Sequence, residues 1–64
     1  MGDTTFRFIE FNSRRKARGV EAARVEVNID GDIGWLWMSK KDVQANIDEF
    51  GGCEGLRKAL AAYG

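Results

Sequence analysis

A cluster of basic side chains in this 64-residue chain has residue types and a spacing that suit the binding of anions. Arg14, Arg15, Lys16 and Arg18 form a short cationic run, and Arg24 follows it. Arginine forks match phosphate oxygens bidentately, and clustered cations raise the local positive potential. This basic run therefore predicts either a contact to phosphate groups or a solvated loop.

Two tryptophans, Trp35 and Trp37, lie two residues apart. In a strand, this spacing puts both rings on the same face of the sheet. An exposed indole can stack on a base or anchor a protein interface, whereas a buried indole serves the core. The role of this pair thus depends on which face it occupies.

Catalytic and metal chemistry have little support in the composition. The chain has no histidine and one cysteine, which excludes a histidine-activated nucleophile, an internal disulfide and an ordinary zinc site. Asp30 and Asp32 flank Gly31, as expected of turn residues. Cys53 follows two glycines, and we interpret it as a packed side chain rather than a reactive thiol. We expect no enzyme activity, no cofactor and no bound metal.

The length and composition predict a single domain spanning residues 1–64. The hydrophobic fraction of 44% is typical of a folded chain, and no apolar run reaches the length of a membrane span. We therefore expect a cytoplasmic protein. In size and composition it resembles the small accessory or inhibitor proteins of phages and mobile elements.

Charge is distributed unevenly, although the formal net charge is zero. Between residues 7 and 24, six basic residues stand against two acidic ones, and the rest of the chain carries the compensating negative charge. This asymmetry is consistent with a partner of one sign meeting one part of the molecule.

Three segments have the composition of strands: residues 4–11, about 22–28, and 33–38. The alternation in the first segment slips once, because Phe6 and Phe8 fall on one face while Ile9 and Phe11 fall on the other. This slip indicates a bulge or a strand covered on both sides. Residues 12–19 contain turn formers and like charges, and we predict a connecting loop there.

The segment from Asn28 to Asp32 predicts a hairpin, but two loop lengths are compatible with it. We favour a three-residue loop, which places Val25 opposite Trp35 and buries the tryptophans in the core. A two-residue turn at Asp30 and Gly31 would instead place Val25 opposite Leu36. The tryptophans would then join Arg24 and Glu26 on the other face.

Two helices are predicted after the strands. Ser39 and Asp42 have the spacing of a capping box, Val43, Ile47 and Phe50 recur at helical spacing, and glycines at 51 and 52 end the helix. Residues 53–63 predict a second short helix. Strands followed by helices indicate an α+β fold, a three-stranded antiparallel sheet with both helices packed on one face.

The function we favour from the sequence alone is a non-enzymatic binding module that contacts a protein partner or a second copy of itself. The alternative is a nucleic-acid-binding protein that uses the basic loop and the sheet aromatics. Neither hypothesis involves a membrane or a small-molecule cofactor. The candidate binding residues are Arg14, Arg15, Lys16, Arg18, Arg24, Trp35 and Trp37.

Overall fold

The computed structural model describes residues 3–63 and contains three strands followed by two helices. The elements are β1 (Thr4–Ala17), β2 (Val20–Ile29), β3 (Asp32–Ser39), α1 (Lys40–Phe50) and α2 (Glu54–Ala62). The strands form one antiparallel sheet in the order β1-β2-β3, and both helices pack on one of its faces. The predicted α+β architecture is therefore confirmed.

The turn between β2 and β3 corrects the favoured loop length. Ile29 pairs with Asp32, so the loop contains only Asp30 and Gly31. Their φ angles are 54° and 91°, as a type I′ turn requires, and the twist of this turn matches that of the flanking strands. The Asn28 side chain accepts a hydrogen bond from the backbone N–H of Gly31 at 2.9 Å. Asn28 therefore stabilises the shorter loop, and the prediction of a three-residue loop is wrong.

This shorter loop moves the tryptophans to the opposite face from the one expected. Val25 pairs with Leu36, Arg24 with Trp37, and Glu26 with Trp35. Because paired residues share a face, both indoles lie beside charged side chains, away from the helices. The prediction that they belong to the core is wrong.

The basic segment is also different from the predicted loop. β1 continues through residues 12–17, and Ala17 pairs with Val20 across a second two-residue turn. Arg18 and Gly19 form that turn with φ angles of 53° and 79°. Lys16 pairs with Glu21 in the register, which places an acid opposite one of the clustered cations. β2 accordingly begins at Val20, two residues before the predicted start.

The slip in the alternation of β1 is a bulge, one of the two predicted explanations. The register shifts between Phe8 and Glu10, leaving Ile9 without a partner in β2. The extra residue brings Phe11 to the same side as Phe6 and Phe8, and all three pack against the core. A second irregularity lies between Asn12 and Lys16.

The core lies between the sheet and the helices. Its buried members are Ala23, Val25, Met38, Val43, Leu56 and Ala59. The predicted capping box is present, since Ser39 accepts from the N–H of Asp42 and the Asp42 carboxylate accepts from the N–H of Ser39. Gly51 ends α1 in the left-handed conformation. The predicted helix boundaries are thus confirmed to within a residue.

Tyr63, directly after α2, connects this helix to the sheet. Its hydroxyl accepts a hydrogen bond from the N–H of Ala23 at 2.9 Å and donates to the carbonyl of Met38. Its ring meets that of Phe11 edge to face at 5.2 Å. Ala23 and Met38 pair in the sheet, so one side chain fastens α2 to two strands.

Candidate functional site

The face of the sheet opposite the helices is the candidate site, and we call it the open face. No helix packs on it within residues 3–63. The strand register places residues from all three strands there: Arg7, Glu10, Arg24, Glu26, Ile33, Trp35 and Trp37. Cationic, acidic and aromatic side chains therefore share a surface that the fold leaves uncovered.

Arg24 and Trp35 form the tightest arrangement on the open face. The guanidinium carbon of Arg24 lies 3.5 Å from the centroid of the Trp35 ring, which is a stacked cation–π geometry. Arg24 Nε is buried and has no hydrogen-bond partner among the described residues. Trp35 nevertheless remains 53% exposed. Trp35 therefore contributes exposed aromatic surface to the open face, with the Arg24 guanidinium against its ring.

Arg15 makes a second, looser pair with Trp37. Its guanidinium carbon lies 5.7 Å from the Trp37 ring centroid. Arg15 lies in the irregular part of β1, between Asn12 and Lys16, and its side chain reaches Trp37 of β3. The structure thus brings four of the predicted binding residues together as two arginine–tryptophan pairs.

Arg7 and Glu26 are open-face residues that the sequence analysis did not select. Arg7 Nε and Nη2 each lie 3.1 Å from a different carboxylate oxygen of Glu26, a two-point ion pair across β1 and β2. The alternation in the sequence could have indicated Arg7, because a residue between Phe6 and Phe8 in a strand lies on the face opposite those rings.

The remaining predicted residues lie in the hairpin that joins β1 and β2. Arg14 and Lys16 are exposed in β1. Arg18 is at the turn, where its guanidinium pairs with the Asp42 carboxylate at 3.1 Å. Arg18 therefore helps to hold the hairpin against the start of α1, while Arg14 and Lys16 form no ion pair within residues 3–63.

The charge of the open face is balanced near its centre and positive toward the hairpin. Arg7 is neutralised by Glu26, and the acid Glu10 pairs in the register with Arg24. Arg15 adds a cation over Trp37, and Arg14 precedes it in the chain, whereas Lys16 faces Glu21 in the strand register. A bound anion would therefore be attracted to the hairpin side of the face.

The Asp30 carboxylate and the Tyr63 hydroxyl take part in hydrogen bonds that connect separate segments of the fold. Asp30 accepts a hydrogen bond from the N–H of Asp3 at 2.9 Å, and the Tyr63 hydroxyl bonds to the backbone. Cys53 is half-buried and packs against the core. Within the described part of the chain, no three Cys, Asp or Glu side chains converge as a metal site would require.

The fold and site define a two-layer α+β protein with an uncovered sheet face that carries stacked arginine and tryptophan side chains. No family model matches the chain, and no curated protein or solved structure matches it either. In residues 3–63, both helices are too short to cross a membrane.

Proposed function

We propose that this protein binds single-stranded nucleic acid on its open face. The observation that carries the proposal is the stacking of Arg24 on a half-exposed Trp35, with Arg15 and Trp37 beside them. Unpaired bases stack both on aromatic rings and on arginine guanidinium planes. The open face offers both kinds of surface next to each other.

The phosphate backbone would follow the cationic side of the face. Arg14 and Arg15 form no ion pairs among residues 3–63, so their charges are available to phosphates, whereas Lys16 faces Glu21 in the strand register. Contact with about two phosphates predicts a salt dependence with a slope of about −1.4 in a double logarithmic plot. This slope is shallow, as suits a protein of zero net charge.

The experiment is a titration of labelled oligothymidine, mixed-sequence RNA and a matched DNA duplex, followed by fluorescence anisotropy at several salt concentrations. Trp35→Ala should weaken single-strand binding about tenfold, because a stacked base contributes about 1–3 kcal/mol. Arg15→Ala should flatten the salt slope. Arg57→Ala in α2 and Phe50→Ala on the helix side remove one arginine and one exposed aromatic away from the open face.

Both control variants should bind like the wild type. Absence of binding at low salt would overturn the proposal, as would equal losses in the control variants. Binding of the duplex alone would also contradict it. The function favoured by the sequence is the binding of a protein partner, here on the same face. It would be supported if the protein failed to bind nucleic acid at low salt and if a specific protein partner were recovered whose affinity falls on Trp35→Ala.

A further inference from the structure

The open face carries two glutamates, and they differ in whether an ion pair neutralises them. Glu26 is held at two points by the guanidinium of Arg7. Glu10 is exposed and forms no ion pair within residues 3–63. Its carboxylate is therefore a hydrogen-bond acceptor available to a ligand on this face.

The lack of an ion pair at Glu10 follows from the direction that Arg24 takes. The two residues pair in the strand register, so their side chains project from the same face of neighbouring strands. The Arg24 guanidinium nevertheless extends toward β3, where its carbon lies 3.5 Å from the ring centroid of Trp35. The stack thus takes up the cation opposite Glu10 and leaves the carboxylate on the strand beside the stack.

A carboxylate in this position can contact a base but not the phosphate backbone. It repels phosphates, because both groups are negatively charged. It accepts hydrogen bonds from the N–H groups of bases, as glutamates do in protein–DNA complexes. In a single strand the Watson–Crick edge of each base is unpaired, so the donors on that edge are within reach of protein side chains.

The bases differ in the donors that they present on this edge. Guanine has two adjacent donors, N1–H and the 2-amino group, which match the two oxygens of a carboxylate. Cytosine and adenine have one amino group beside an unprotonated ring nitrogen, and thymine and uracil have one N–H between two carbonyl oxygens. These neighbouring lone pairs repel a carboxylate. Guanine alone can therefore make a two-point contact to a glutamate.

We infer that the open face selects guanine, which stacks on the Arg24–Trp35 pair and donates two hydrogen bonds to the Glu10 carboxylate. Neighbouring strands lie about 4.8 Å apart, so a base over Arg24 of β2 is one strand away from Glu10 of β1. A purine ring and a glutamate side chain together span that separation. This inference rests on the proposed function, and it names the base that the site prefers.

Fluorescence anisotropy with short single strands tests the preference. The strands are oligothymidines whose central base is guanine, hypoxanthine, adenine, cytosine or thymine. Guanine should bind about tenfold more tightly than thymine, as a two-point base contact allows. Hypoxanthine keeps N1–H but lacks the 2-amino group, so it should lose most of this advantage.

Glu10→Gln replaces one acceptor oxygen by an NH2 group, which would face a guanine donor. The variant should lose the guanine preference, and it should bind the all-thymine strand about twofold more tightly because one negative charge is removed. Glu49→Gln in α1 makes the same change at an exposed acid away from the open face, and it should keep the preference.

The ratio of the affinities for guanine and hypoxanthine separates base recognition from a structural role of Glu10, since misfolding would weaken the binding of every strand alike. Circular dichroism checks that each variant is folded. Equal affinity for all the strands would overturn the inference while leaving the proposed function intact, whereas no binding of any strand would overturn both. A preference for another base, or a guanine preference that persists in Glu10→Gln, would also contradict the inference.

Discussion

Arg24 stacks on Trp35 rather than on Trp37, the residue that it directly faces in the strand register. The contact is diagonal, between residues two positions out of register on neighbouring strands. Such diagonal neighbours are within reach of long and aromatic side chains. Trp37 is instead approached by Arg15 from β1, so each indole has its own guanidinium.

Replacing Arg24 tests the energetic value of this stack. Arg24→Lys keeps the charge but loses the planar surface, so we expect the free energy of unfolding to fall by about 0.5–1 kcal/mol. Urea denaturation measures the change, and tryptophan fluorescence should shift as the Trp35 environment changes. Arg57→Lys in α2 is the control and should leave both signals unchanged. An unaltered midpoint and spectrum for Arg24→Lys would show that the guanidinium does not stack in solution.

Removing the hydroxyl of Tyr63 should loosen the attachment of α2 to the sheet. Tyr63→Phe keeps the ring against Phe11 but leaves the buried N–H of Ala23 and carbonyl of Met38 without this partner. Such a loss costs about 1–3 kcal/mol of unfolding free energy. Denaturant unfolding provides the measurement. Equal stability of variant and wild type would mean that the hydroxyl bonds are not formed.

The same hydroxyl should make the protein sensitive to alkaline pH. Burial raises the pKa of Tyr63 above its ordinary value of 10.0, and the nearby Asp42 carboxylate adds to this effect, while the Ala23 N–H opposes it. Because the pKa of Tyr63 is higher in the folded state, the folded protein keeps this proton to a higher pH than the unfolded chain does. The contribution of Tyr63 to the free energy of unfolding is therefore fully present below the unfolded pKa, and it is lost as the pH rises toward and through the folded pKa.

Tyrosinate absorbance follows this titration directly, since Tyr63 is the only tyrosine in the chain. We expect a midpoint above that of the urea-unfolded protein. The free energy of unfolding, measured from pH 9 to pH 11, should decline more steeply for the wild type than for Tyr63→Phe. The variant keeps all the lysines, so the difference between the two proteins reports the titration of Tyr63 alone. A midpoint at or below the unfolded value would contradict the burial of the hydroxyl.

The replacement of glycine by alanine should have opposite effects on stability at Gly55 and at Gly34. A Cβ at Gly55 would lie 2.9 Å from the Arg7 Cα and overlap the carbonyl oxygen of Phe6, whereas a Cβ at Gly34 would meet nothing within 4 Å. Gly55→Ala should therefore destabilise the fold by about 1–3 kcal/mol, although alanine favours a helix. Gly34→Ala should stabilise it by about 0.5–1 kcal/mol. Thermal unfolding of the two variants compares the signs, and a stabilising Gly55→Ala would contradict the close approach of α2 to β1.

Local signals in the sequence were sufficient for the helices and the order of elements. The capping box at Ser39, the apolar spacing of Val43 and Ile47, and the glycine after Phe50 each act within a few residues, so α1 was predictable. The bulge near Ile9 was also visible, as a slip in alternation. These features depend on neighbouring residues alone.

The open face was harder to predict because it depends on loop length. Asn28 before the turn is compatible with two or three loop residues, and a difference of one residue reverses the faces of Trp35 and Trp37. The Arg18–Gly19 turn was obscured by the surrounding cations, which do not alternate with apolar residues. The pairing of each arginine with its tryptophan further depends on cross-strand register and side-chain conformation, which no single segment encodes.

The most direct test of the central claim, that the open face binds single-stranded nucleic acid, is a chemical-shift map of the isotope-labelled protein during titration with a short oligothymidine. The two indole N–H signals and the side-chain signals of Arg15 and Arg24 should move, together with backbone amides along β3, while α1 and α2 stay unperturbed. Shifts confined to the helices, or no shifts at low salt, would contradict the proposed function.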